Sequence, residues 1–160
     1  MNLLWEHRKK FFACLGVLST LALGLLSGQA QAATATTTFS VTATNLAFGA
    51  YTTAQVDNTS TISVTCTKGT TYNVGLDAGT SAGATVTTRK MTGPGGDTLA
   101  YALYQDSART INWGNTVSTD TVIGTGNGSA QTLTVYGRVP AGQFVTPGAY
   151  TDTITATITY

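Results

Sequence analysis

The sequence predicts an all-β protein with an immunoglobulin-like β-sandwich fold, and three observations support that prediction. Several segments alternate apolar and polar residues with a period of two, which is typical of strands with one buried face. Threonine, glycine, alanine and valine dominate the composition, and β-branched residues favour strands. Turn-forming segments separate the alternating runs at fairly regular intervals, and no convincing amphipathic helix is present. A sandwich of about seven short strands is therefore expected.

The N-terminus has the pattern of a secretory leader. Three basic residues precede an apolar run at 11–26, and small residues end the segment at Ala32. This order is typical of a signal peptide that is cleaved after its last small residue. We therefore expect residues 1–32 to be the signal peptide and residues 33–160 to be one exported domain, with no membrane insertion once the leader is removed.

The charges of the expected domain exclude several classes of function. Residues 33–160 hold five basic residues and six aspartates, but no histidine and no glutamate. So sparse a charge offers no basic stripe for a phosphate backbone, and nucleic acid is not an expected partner. Without histidine and glutamate, these residues cannot form Ser-His-Asp or Cys-His catalytic arrangements, histidine-based zinc sites or mixed carboxylate pairs. We expect no enzyme activity, no catalytic residues, no metal site and no cofactor.

In chain order, each expected strand is an alternating run that is bounded by turn signals. The seven runs lie at residues 39–41, 46–51, 60–66, 72–76, 99–105, 131–138 and 150–160. The turn-forming segments between them lie at residues 68–69, 77–79, 93–96, 124–128 and 147–148. Among these, Asn127-Gly128 is the sharpest short turn signal.

The last run is the clearest strand. Its odd-numbered positions from 151 to 159 are all threonine, and its even-numbered positions are apolar except for Asp152. Even-numbered side chains share one face of an extended strand. We expect this face to lie against the core with Ile154, Ala156, Ile158 and Tyr160.

Cysteine and aromatic residues each allow two interpretations. Cys66 is the only cysteine outside the leader, so it is a reactive thiol, a link between chains or a buried core residue, and the last is the commonest outcome. Four aromatic residues form either a sugar-binding platform or ordinary core, and core is favoured. These four are Tyr101, Tyr104, Trp113 and Tyr136.

One long segment resembles the signature of the spore coat protein U domain family. It covers residues 101–114 and reads YALYQDSARTINWG. The family includes major subunits of archaic chaperone-usher pili. Further stretches that fit it are NLAFG at 45–49, ISVTC at 62–66, YGRVP at 136–140 and GAYTDT at 148–153. The resemblance therefore spans most of the expected domain.

The resemblance implies an incomplete pilin-type fold that is completed by donor-strand addition. In such a subunit a periplasmic chaperone first fills an open groove, and a neighbouring subunit's N-terminal segment later replaces it. The C-terminal strand, with Ile154, Ala156, Ile158 and Tyr160, would border the groove and pair with the chaperone. The implied function is a structural subunit of a surface pilus or coat that serves adhesion or biofilm formation. Its implied partners are the chaperone, an outer-membrane usher and other pilin-like subunits, and it would pass through the periplasm to the cell surface or be secreted.

The N-terminal segment departs from the family pattern. Family members usually carry an early cysteine bonded to the position of Cys66, and a donor segment before it. Here that early cysteine is absent and the segment is shortened. Its alternating residues are then either the donor segment or the domain's own first strand, in which case the subunit accepts a strand but cannot donate one. These residues are Thr37, Phe39, Val41 and Ala43.

A second function stays open from the sequence alone. A secreted, monomeric β-sandwich can also be a binding module for carbohydrate or protein, which recognises its ligand through loops and aromatic residues. Such a module would be stable and monomeric when made alone, whereas a subunit with an open groove depends on a partner strand.

Overall fold

The structure, a computed structural model, describes the backbone of residues 2–9 and the chain from residue 37 to residue 160. Within these residues the chain forms the strands β1 (Asn2–Lys9), β2 (Phe39–Ala43), β3 (Val56–Cys66), β4 (Thr71–Leu76), β5 (Arg89–Thr92), β6 (Thr98–Tyr104), β7 (Val122–Thr125), β8 (Ala130–Val139) and β9 (Thr151–Thr159). The one helical segment described is a short 3-10 turn, Pro94–Gly96, and no described helix has the length and apolarity to cross a membrane. The predicted all-β class is confirmed.

The strands follow one hydrogen-bonded path, in the order β2-β3-β8-β6-β5-β9-β4-β7, with β1 beside β9. Strand β6 folds this path into two layers, because its first half pairs with β5 and its second half pairs with β8. Strands β2, β3 and β8 form one layer, and β4, β5, β7 and β9 form the other. The result is the predicted immunoglobulin-like sandwich. Every described pair is antiparallel except β1 with β9.

The core lies between the two layers, and period-two alternation selects its residues. In β3 the buried positions from Ser60 onward are the even-numbered ones, and β9 repeats this pattern from Asp152 to Ile158. Apolar side chains from both layers join in one cluster. Burial of each large apolar side chain contributes about 1.5–3 kcal/mol, which makes this cluster the main source of stability.

The prediction of a strand at residues 46–51 is wrong. This segment forms no extended strand, although Leu46 and Phe48 are buried. Both side chains pack over Gly137 of β8, where an added Cβ would lie 2.5 Å from Leu46 Cδ2 and 2.7 Å from Phe48 Cζ. The alternation correctly indicates which side chains are buried, but burial does not require a strand partner.

Three strands were not expected from the sequence: β1, which lies within the predicted signal peptide, and β5 and β7. β5 and β7 have four residues each, which is too short for a periodic signal, and β5 contains Arg89 and Lys90. Arg89 is nevertheless fully buried. β3 also begins at Val56, earlier than residue 60, because its first residues pair with the end of β8.

Candidate functional site

The two edges of β9 have different partners. Asn73–Leu76 of β4 pair with the last residues of β9, and Thr92 of β5 pairs with Thr151. β1 pairs in parallel with residues 151–158, from Asn2 opposite Thr151 onward. Thr151 pairs with both Asn2 and Thr92, and Ala156 pairs with both His7 and Leu76. Since a residue has one neighbour on each side in a sheet, β1 lies on the edge opposite β4 and β5.

β1 is therefore the only described strand on this second edge of β9, which we call the acceptor edge. β1 also lies within the predicted signal peptide, so its removal would leave this one edge of residues 151–158 without a strand partner among the described residues. An unpaired edge of this length is a template for strand addition. The apolar run and the cleavage site of the leader lie outside the described residues, and its cleavage stays a prediction.

The side chains of β9 alternate as expected. Ile154, Ala156 and Ile158 are buried in the core, and the odd-numbered threonines lie on the other face. Tyr160 differs from the expected set because 43% of its surface is exposed, and its ring stacks on Phe39. The role of these four residues in pairing with a chaperone stays a prediction.

Asp152 is the polar exception in the inward set, and the fold explains it. Its carboxylate is buried and accepts hydrogen bonds from the Thr80 amide and hydroxyl, both at 2.9 Å, and from the Tyr101 hydroxyl at 2.7 Å. Burial, and then the charge of Asp152, raises the pKa of Tyr101, so this hydroxyl keeps its proton and remains a donor. The network ties the start of β9 to β6 and to the loop after β4.

Arg89 supplies the positive charge beside this network. Its guanidinium is fully buried and donates to four backbone carbonyls at 2.6–3.0 Å. These belong to Leu76, Asp77, Val86 and Trp113. Burial lowers the pKa of Arg89 to about 10, and Tyr101, Asp77, Asp152 and Asp120 oppose that shift. The group is still protonated at neutral pH, and its charge is offset by carbonyl dipoles and nearby carboxylates.

The loop after β4 covers the middle of the other edge of β9. Thr155 donates its amide to Asp77 Oδ1 at 2.9 Å, and its carbonyl accepts from the Asp77 amide at 3.1 Å. Gly79 permits this approach, because its φ is +85° and an added Cβ would overlap the carboxylate of Asp152. One edge of β9 is therefore held by its own domain, and the acceptor edge is held by β1.

The candidate donor segment lies in a different place. Phe39–Ala43 form β2, which pairs antiparallel with β3 from Phe39 opposite Cys66 to Ala43 opposite Ile62. Phe39, Val41 and Ala43 pack against the core of their own domain, while Thr37 precedes the strand and is exposed. The fold brings one of these residues, Phe39, to the site, and a donor role for the segment stays a prediction.

The lone thiol and two of the aromatic residues are core. Cys66 is buried, its thiol lies 3.5 Å from the Thr67 carbonyl, and burial raises its pKa, which lowers its reactivity. Tyr101 and Trp113 are also buried, so neither offers a ring face to a sugar. The described residues contain no group of three potential metal-ligating side chains.

The segment that carries the family resemblance has a structural task. Asp106 accepts hydrogen bonds from the backbone of Thr110 and Ile111, and the Ile111 contact is the largest of those that lower its pKa. Arg109, with φ of 58°, donates to the Gly137 carbonyl at 3.1 Å. The Trp113 indole donates to the Val74 carbonyl at 2.8 Å. The segment thus fastens β4, β6 and β8 together.

Sequence reasoning missed three features of the site. Neither Arg89 nor Thr80 stands out in the sequence, and the only signal for their network was a single aspartate among apolar residues. The contact between Phe39 and Tyr160 had no signal, because the two residues are far apart in the chain. Tertiary structure alone brings these groups together.

Comparisons with known proteins agree with this architecture. The family model of the Spore Coat Protein U domain matches residues 25–157. Protein U of Myxococcus xanthus is 42% identical over 107 residues, which cover 64% of this chain and 59% of that protein, so the chain spans less than two thirds of this relative. A chain in the crystal structure of the CsuC-CsuE chaperone-tip adhesion subunit pre-assembly complex, from archaic chaperone-usher Csu pili of Acinetobacter baumannii, has a similar fold. The TM-score is 0.61 at 19% identity, over 78% of this chain and 40% of that chain.

Proposed function

The chain belongs to the spore coat protein U domain family, and from that premise we propose that it is a structural, pilin-like subunit of a surface pilus or coat. We propose further that it is assembled by strand addition at the acceptor edge. The observation that carries the proposal is the acceptor edge of residues 151–158, where β1 is the only strand that the described part of the chain provides.

The energetics favour a strand as the natural ligand of this edge. A net gain of about 0.5–1.5 kcal/mol accompanies a typical backbone hydrogen bond, and the edge pairs over eight residues. Alternate side chains of an added strand would point toward Ile154, Ala156 and Ile158, where apolar contact adds to the backbone pairing. Covering the edge also removes a template for aggregation.

We propose that the chain is exported, meets a periplasmic chaperone and an outer-membrane usher, and joins other pilin-like subunits. A similar fold occurs in a chaperone–subunit complex, which supports a chaperone as the first partner. Adhesion or biofilm formation is the proposed purpose of the assembled fibre or coat. A spore-coat role is supported by the similarity to Protein U.

We further propose that this subunit accepts a strand without donating one. β2 lies in the sheet of its own domain, and only residues 33–38 separate it from the predicted cleavage site. That segment is shorter than the eight paired positions of the acceptor edge. A terminal position in a fibre suits such a subunit.

The test is the melting temperature of the exported, leader-free chain, measured by circular dichroism. It is measured with and without a peptide that copies Asn2–Lys9 or a family donor strand. A clear rise in melting temperature with either peptide is expected, because ligand binding to the folded state stabilises it. A high melting temperature that neither peptide changes would indicate a complete, self-contained sandwich.

One observation favours the alternative, a monomeric binding module. The loop between β8 and β9 presents Phe144 with 90% of its surface exposed, beside Tyr51 and the carboxylate of Asp97 in an open cleft of about 420 Å³. Aromatic rings beside polar groups suit a carbohydrate or peptide ligand. Glycan-array binding that is lost in Phe144→Ala, by a protein that stays monomeric without any chaperone, would favour this function over the first.

A further inference from the structure

The acceptor edge is bordered by strands from both layers. β1 pairs with β9, and some of its Cα atoms come within 8 Å of β2. At one end of this seam the rings of Phe39 and Tyr160 stack, with their centroids 3.9 Å apart and their planes at 26°. Phe39 is the first residue of β2, and Tyr160 directly follows β9. The stacked pair therefore joins the two layers across the seam.

The position of the stack matches the end of the pairing. The last paired residues are Lys9 and Ile158, two positions before Tyr160. Tyr160 holds the next even-numbered position after Ile158, and its ring, although 43% exposed, stacks on Phe39 of the facing layer, on the side where an added strand would place its next inward side chain. That side chain would meet the stacked rings rather than an open part of the core.

The side-chain pattern of β9 does not define the register by itself. A slip of one residue would move every inward side chain of an added strand to the outer face, which burial forbids. A slip of two residues keeps each side chain of the added strand on the same face of the sheet. The outer face of β9 repeats threonine, and its inner face beyond Asp152 repeats small or branched apolar residues, so at the Tyr160 end the local pattern barely distinguishes registers that differ by two.

We propose that the Phe39–Tyr160 stack blocks the acceptor edge beyond Ile158 and thereby selects the register of an incoming strand. We call this block the end-stop. The ligand is an extended peptide that pairs in parallel with residues 151–158 and places apolar residues opposite Asp152 and Ile154, as Leu3 and Trp5 of β1 are placed. This inference rests on the proposed function and adds a specificity determinant to the same site. The two rings exclude the register shifted by two residues toward Tyr160.

A disulfide formed between the protein and a bound peptide shows directly which register the peptide adopts. The protein is the exported, leader-free chain with Cys66→Ser and Thr157→Cys, and the probes are two peptides copying Asn2–Lys9, one with Arg8→Cys and one with Glu6→Cys. In the observed register Arg8 is opposite Thr157, and a shift by two toward Tyr160 brings Glu6 there. Adjacent strands lie about 4.8 Å apart, which is within the Cα separation that a disulfide bridges.

The expected result is a strong preference for the Arg8→Cys peptide in the parent protein and in Tyr160→Phe, which keeps the ring. In Tyr160→Ala and Phe39→Ala, the ratio of the two cross-linking yields should fall by about threefold to tenfold, which corresponds to the energy of an aromatic pair. If the ratio of cross-linking yields is unchanged in both alanine variants, or if the two peptides cross-link equally to the parent protein, the end-stop proposal is refuted while strand acceptance stands. Failure of both peptides to cross-link with any variant overturns strand acceptance itself.

Discussion

Single residues explain why β9 remains ordered although one of its edges depends on an added strand. Asp152 and Arg89 are both buried, and each has its polar atoms satisfied by neighbours from other strands and loops. An unsatisfied partner in such a network costs the desolvation energy of the group. These contacts hold the inner face of β9 in place before any partner arrives.

Tyr101→Phe tests this network. The change removes one donor from the buried carboxylate of Asp152, and we expect it to lower the free energy of unfolding by about 1–3 kcal/mol. Urea unfolding at neutral pH measures the effect, with Tyr104→Phe on the same strand as the control. Equal effects of the two changes would contradict a special role for the Tyr101 hydroxyl.

Cys66→Ser tests the role of the lone thiol. We expect a loss of about 1–2 kcal/mol and no change in oligomeric state, because the side chain is buried and the nearby carbonyls of Thr67 and Thr70 can accept from a hydroxyl. Non-reducing electrophoresis and chemical unfolding measure both. A disulfide-linked dimer that disappears in the variant would refute the core interpretation.

Among the elements, β2 and β9 decide what the subunit can do. β9 provides the acceptor edge, and β2 completes the other layer as a short strand paired with β3. The family resemblance implies an early cysteine bonded to the position of Cys66, and this chain lacks it. In this chain Phe39 stands opposite Cys66, so the strand keeps its place through pairing and aromatic stacking.

Phe39→Cys should restore a cross-strand disulfide in an oxidising compartment. Directly opposed residues of an antiparallel pair have Cα atoms about 4.5–5.5 Å apart, within the range of a disulfide. The closed loop would contribute about 3 kcal/mol, less what is lost with the ring stack. Mass spectrometry of the exported protein detects the bridge, and Val41→Cys, which faces Val64, should form none. A free thiol pair in Phe39→Cys would contradict the pairing of β2 with β3.

Charging the inner face of β9 should abolish assembly. In Ile154→Asp with Ile158→Asp, two carboxylates would enter the buried face of β9 that borders the acceptor edge, and we expect loss of chaperone capture and of accumulation in the periplasm. Immunoblotting of periplasmic extracts measures the level, and Thr157→Asp on the outer face is the control. An unchanged level of the double variant would refute the role of β9.

Across the whole molecule, carboxylates in hydrogen-bonded positions link stability to pH. A hydrogen bond from Arg138 lowers the pKa of Asp57, and bonds from Thr146 and from the Ile111 amide lower those of Asp97 and Asp106. A lowered pKa in the folded state means that the unfolded chain binds protons first as pH falls. The stabilisation is therefore present above the unfolded value of about 3.9 and is lost below it.

We expect the melting temperature to stay nearly constant from neutral pH down to about pH 5 and to fall steadily below about pH 4. Calorimetry over this range measures the change. Asp106→Asn should be less stable at neutral pH and should show a shallower decline. A melting temperature that is insensitive to acid would mean that these contacts do not stabilise the fold.

Local sequence patterns predict the all-β class, most of the strands and the inward face of β9, because period-two alternation follows directly from side chains that point to opposite faces of a strand. The family followed from residues 101–114, because a long motif can be matched without knowledge of the contacts it makes, although those contacts reach as far as Val74, Gly137 and Asp152. Tertiary packing determines that residues 46–51 run over β8 without forming an extended strand, that Asp152 is hydrogen-bonded to Tyr101 beside the charge of Arg89, and that Phe39 meets Tyr160. These contacts join residues far apart in the chain, so no local pattern could encode them. The acceptor edge is likewise a property of the assembled sheet, since an edge exists only once the neighbours of a strand are known.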